Sequence, residues 1–136
     1  MDENVFKKRT KQLALRIIKV VDALPKNRTA DVIGRQLIRS GTSIGANYRA
    51  ACRGKSTADV IAKLRIVEEE ADESAYWMEL LIESGLVPEA RLSELLQETN
   101  EIIAMTVALQ NRNGNPPINR QSKTCTEPTR SIENLK

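Results

Sequence analysis

The chain has 136 residues, enough for one domain. It holds no histidine and only four aromatic residues, Phe6, Tyr48, Tyr76 and Trp77. The commonest general base and zinc ligand are therefore excluded, and a core must be built from Leu, Ile, Val, Ala and Met, which suits helices over a β-sandwich. The formal net charge of +3 hides two opposed halves: residues 1–67 hold fifteen Lys/Arg and five Asp/Glu, whereas residues 68–110 hold eleven Asp/Glu and only Arg91.

Four helices are expected. The first runs from about Asn4 to Leu24, with Phe6, Thr10, Leu13, Ile17, Val20 and Leu24 at alternating spacings of four and three. Pro25 ends it. The second starts near Thr29 or Asp31 and places Ile33, Leu37, Ser40, Ile44, Asn47 and Ala51 on one seam, with Gly54 as terminator. Its internal glycines, Gly34, Gly41 and Gly45, each cost ~1 kcal/mol relative to Ala. They mark either a close approach by another backbone or a break near Gly41. The third helix opens on Ser56-x-x-Asp59, a capping-box variant, and carries Val60, Leu64, Val67, Ala71, Ser74, Met78 and Leu81 to Gly85. The fourth begins at Pro88, turns Leu92, Leu95, Thr99, Ile102, Thr106 and Leu109 inward, and fades near Arg112. Short links impose antiparallel neighbours, so residues 1–112 read as an all-α, antiparallel, up-down-up-down four-helix bundle. Residues 113–136, rich in Asn, Pro, Ser and Thr, read as a disordered tail.

The longest uncharged runs, such as Ile102 to Asn111, reach about ten residues against the ~20 of a membrane span. Met1 to Asn4 lacks the layout of a signal peptide, and Cys52 and Cys125 stand far apart. A cytoplasmic protein with free thiols is expected, without a membrane partner.

The stretch from Gln36 to Ala50, with Ser43-Ile44-Gly45-Ala46-Asn47 at its centre, resembles the signature of the four helix bundle protein family, also called the 23S rRNA intervening-sequence protein family. Asp72-Glu73-x-x-Tyr76-Trp77-x-Glu79-Leu80-Leu81 is similar to that family's third helix. The resemblance covers roughly residues 5–110. It implies a small helical bundle of largely unassigned role. It also implies kinship with the accessory proteins of diversity-generating retroelements, which form five-fold barrels, and hence a homopentamer. Arg49 stands where many members of the family have Ala or Ser, and Ala51 where many have Gly, which makes the second helix more basic here.

Arg35, Arg39, Arg49 and Arg53 share the outward face of the second helix, Lys55 extends the row, and Lys8, Lys11 and Lys19 lie outward on the first. Such a row of cations binds phosphates; it equally meets the acidic helices of the same or a neighbouring subunit. The partners expected are thus further copies of the chain and RNA or DNA. In Glu68-Glu69-Glu70-Ala71-Asp72-Glu73, the Glu69-Glu70-x-x-Glu73 spacing is that of Mg²⁺-dependent all-α nucleotide hydrolases, and Glu98-x-x-Glu101 would complete a four-carboxylate site. Because Val67, Ala71 and Ser74 take the inward face, Glu69 and Glu73 should face solvent, with Glu70 at the margin. The reading is therefore non-enzymatic, with no metal and no cofactor. Asn47, between Ile44 and Ala51, reads as a buried amide that fixes register or oligomer state, with hydrogen bonds from Ser40, Ser74, Thr99 or Thr106. Tyr48, Tyr76 and Trp77 read as packing or subunit-interface aromatics. Cys52 reads as buried and inert. The opposed charges suggest head-to-tail contacts closing into a ring. A protein-interaction scaffold, for instance accessory to a reverse transcriptase, is the alternative to nucleic-acid binding.

Overall fold

The computed structural model describes residues 2–114, all of them in four helices and the links between them. Helix α1 spans Glu3–Asp22, α2 Arg28–Cys52, α3 Thr57–Glu83 and α4 Glu89–Gly114. No strand occurs among the described residues. The tail expected from residue 113 lies outside them, except that Asn113 and Gly114 continue α4.

Short polar side chains begin the helices. Asp2 accepts the Asn4 N–H at 3.2 Å to open α1. Asn27, rather than Thr29 or Asp31, caps α2 by accepting the Ala30 N–H at 2.8 Å. Pro25 fixes the chain just upstream, so the earlier Asn side chain reaches the free donors first. Ser56 accepts the Asp59 N–H at 3.0 Å while the Asp59 carboxylate accepts from the Lys55 N–H at 3.2 Å, which satisfies donors on both sides of the α3 start. Gly85, at φ +82, ends α3 in the left-handed conformation.

The helices pack in chain order, α1 on α2, α2 on α3 and α3 on α4; α1 and α4 close the circle with the thinnest contact. The core is one cluster that includes Phe6, Leu13 and Ile17 of α1, Leu37 and Ile44 of α2, Leu64, Val67 and Met78 of α3, and Leu92 and Ile102 of α4. Seam hydroxyls are satisfied locally: Thr10, Thr99 and Thr106 donate to carbonyls one turn back. Ser74 donates to Ser40 at 2.8 Å and so joins α3 to α2.

Helix α2 is unbroken through its glycines. A Cβ on Gly41 would sit 2.5 Å from Cδ1 and 3.1 Å from Cγ2 of Ile17. One on Gly45 would sit 3.1 Å from the Thr10 hydroxyl. These glycines let α1 lie close against α2. Asn47 does not occupy the seam. It is half-buried and donates to the Ser43 carbonyl of its own helix at 2.9 Å. The buried place is taken by Tyr48, whose ring meets Phe6 edge-on with centroids 4.5 Å apart. A straight helix advances past a strict 3.5-residue repeat, so after Ile44 the inward direction falls on the fourth residue rather than the third.

Candidate nucleic-acid interface

At 100° per residue, Arg39 and Arg49 stand about 80° apart around α2, on either side of Arg35 and Arg53. The structure separates them accordingly. Arg39 turns towards α3, where its guanidinium bonds Glu70 at 3.3 Å and Glu73 at close range. Arg49 turns towards α1.

There it joins Lys8 and Lys11 along a groove of about 550 Å³ between α1 and α2. Its floor is Thr10 and Ala14 of α1 with Thr42, Gly45 and Ala46 of α2. These small side chains are what the close packing of the two helices requires, and they leave a shallow channel beneath longer cationic ones. Lys7 also lines it, held by Glu3 at 2.9 Å. Lys8, Lys11 and Arg49 are exposed, and no acid among the described residues lines the groove. Three of the cations read from the sequence as phosphate ligands are thereby brought together.

The others are not. Arg35 pairs with Asp31 one turn back on α2, at 3.1 Å. Arg53 follows the last turn of α2 as its C-cap. Lys55 lies exposed in the link to α3, and Lys19 lies at the far end of α1, where it and Arg91 line a separate recess.

The acids are arranged in two groups. Glu73 keeps about 35% of its side chain open to solvent but is not free there: it accepts from the Trp77 indole N–H at 3.1 Å and from Arg39. Together these hold its carboxyl below the usual carboxylate range, the Trp77 bond being the larger cause. Glu98 and Glu101 turn the other way, towards α1, where Arg9 binds Glu98 through two nitrogens at 2.7 and 3.0 Å and Glu101 at 2.9 Å. The four-carboxylate site therefore does not assemble, since each pair is neutralised by its own arginine across a different helix boundary. No three acids or thiols among the described residues are placed to hold a metal ion. Sequence reasoning missed Arg9. The signal was available as one cation on α1 beside the seam residue Thr10, opposite an i, i+3 pair of glutamates.

The aromatics divide. Tyr48 is core, not interface, and burial pushes its hydroxyl well above the ordinary range. Cys52, half-buried one turn on, is pushed up by the same cause. Trp77 packs against the core, and Tyr76 stands 53 % exposed beside it, the rings in edge contact at 5.3 Å. No helix among the described residues is long and apolar enough to cross a membrane.

The family model for the 23S rRNA-intervening sequence protein matches residues 2–108. A solved structure from Bacteroides thetaiotaomicron VPI-5482, a protein with unknown function from the S23 ribosomal protein family, shares the fold with a TM-score of 0.76 and 35% sequence identity. The match covers 82% of this chain and 99% of that one. No curated protein matches.

Proposed function

We propose, for a chain that belongs to the 23S rRNA-intervening sequence protein family, a non-enzymatic role as a homo-oligomeric bundle that holds RNA phosphates in its α1/α2 groove. The observation that carries this reading is the convergence of Lys8, Lys11 and Arg49 on a channel with no acid among the described residues of its lining. Cations spaced along a channel bind a polyanion whatever its sequence. No aromatic among the described residues lines the groove to stack bases, so recognition is of the backbone.

The experiment is an RNA titration across salt with two charge-reversed variants. Binding to single-stranded RNA weakens with salt at a slope of ~−0.7 per phosphate neutralised. Replacing Lys8, Lys11 and Arg49 by Glu removes about two units of that slope. Reversing Arg35 and Arg53 instead leaves most of the binding. Equal loss in both variants, or RNA held as tightly by the groove variant as by the wild type, would sink the proposal.

A second reading, a protein-interaction scaffold, is favoured by a separate observation. Glu69, Asp72, Glu79 and Glu83 are exposed on α3 and make no ion pair among the described residues. Such a surface suits the basic α1/α2 face of another copy, in a head-to-tail contact that closes into a ring, five-fold by resemblance. Solution mass at low and high salt tests it: a salt-dissociable oligomer that excludes RNA from the groove supports the scaffold over RNA binding.

A further inference from the structure

We propose that a recess at the end of the bundle, away from the phosphate groove, binds a small amphipathic carboxylate: a free organic acid with a short hydrocarbon body. The recess has a volume of about 240 Å³. Val20 and Leu24 line it from the end of α1, Leu86 and Val87 from the α3–α4 link, and Leu92 from α4. Val87 and Leu92 are buried, whereas Val20, Leu24 and Leu86 keep part of their surface open to the recess and solvent. An apolar cavity of ~150 Å³ takes up benzene, so this one accommodates a hydrocarbon body of about six carbons.

Its charged lining among the described residues is entirely positive. Lys19 comes from α1 and Arg91 from the first turn of α4, so the two cations reach the recess from different helices. Both are exposed, and neither makes an ion pair among the described residues. Arg91 is also the sole basic residue between 68 and 110, in the acidic half of the chain. A guanidinium presents a planar fork that matches a carboxylate through two parallel hydrogen bonds, and an ammonium adds a point charge beside it. A neutral alcohol would use the apolar wall without the cations, and a bare small anion the cations without the wall. A short-chain carboxylate uses both. The site is independent of RNA binding, because Lys8, Lys11 and Arg49 line the other groove.

The test uses the full chain with three probes, hexanoate, hexan-1-ol and acetate, followed by NMR of the side-chain methyl groups. Hexanoate is expected to shift the methyl signals of Val20, Leu24, Leu86 and Val87 saturably, and acetate at the same concentration not to. The double variant K19Q/R91Q changes two exposed side chains. It should weaken hexanoate about tenfold, the worth of one charge-assisted hydrogen bond, and leave hexan-1-ol unchanged. Absence of a saturable shift, shifts confined to other methyl groups, or equal hexanoate affinity in K19Q/R91Q each overturns the proposal.

Discussion

The Glu73 carboxylate ties three side chains on two helices: it accepts from Trp77 on its own helix and from Arg39 on α2, where Glu70 shares the same guanidinium. Both donors favour the ionised form, so the folded-state pKa lies below the unfolded one. The sign follows from proton uptake. Above the unfolded glutamate value of about 4.3 the contribution to stability is complete; it declines as pH falls through the lower folded value, because the unfolded chain binds the proton first. Thermal melts taken from about pH 5 downwards should show the wild type losing stability more steeply than Glu73→Gln, which has no charge to lose. Parallel curves would show that the contact adds nothing. Spacing alone gave no access to this contact. It read Glu73 as solvated because Ser74 takes the inward position, but a glutamate at the edge of an apolar stripe reaches the arginine of the next helix along the same boundary.

Helix α2 lies between α1 and α3 and packs on both. Its two contacts use different chemistry. Towards α3 it presents Ser40 to Ser74, and towards α1 it presents Gly41 and Gly45 to Ile17 and Thr10. Alanine at 41 would gain ~1 kcal/mol of helix propensity, but it would press on the β-branched carbons of a fully buried isoleucine, and overpacking of that kind costs about 1–3 kcal/mol. Gly41→Ala should therefore lower the melting temperature by several degrees. Combining it with Ile17→Val, which removes the nearest methyl, should recover part of the loss. Full additivity of the two losses would mean that Gly41 and Ile17 do not meet. How much of this was legible differs along the chain. Phe6, Thr10, Leu13 and Ile17 lie buried as their spacing requires, as do Leu64 to Leu81 on α3, because each helix there keeps one face to the core. On α2 the glycines bring α1 in close, and a single stripe is then a poor guide. The buried surface widens to take in Gly41 and Tyr48, and Asn47 turns aside. The glycines did announce a close approach, for only a missing side chain makes one possible.

Across the whole molecule, the opposed charges visible in the sequence are spent in three ways. Part is consumed between neighbouring helices at the bundle surface, where Arg39 and Arg9 each bind a pair of glutamates. Part lies exposed as acid on α3, and part gathers as the Lys8–Lys11–Arg49 channel. Counting charges along the chain could not make this division, because it depends on which side of its helix each arginine leaves.

The Arg9 clasp has a consequence for how the molecule comes apart. Where the circle closes, α1 and α4 share little surface, and three of the four bonds made by the Arg9 guanidinium there run to carboxylates, the fourth to the Met105 sulfur. Ionic contacts of this kind are screened by dissolved ions, whereas packed methyl groups are not. Urea is uncharged and guanidinium chloride is a salt, so the two denaturants attack the closure unequally. Guanidinium chloride is ordinarily about twice as effective per mole. For this chain the urea midpoint should exceed the guanidinium midpoint by more than that factor, and Arg9→Leu should bring the ratio back towards two. A ratio of two in the wild type would mean that the helices are held together where α1 meets α4 by something other than charge.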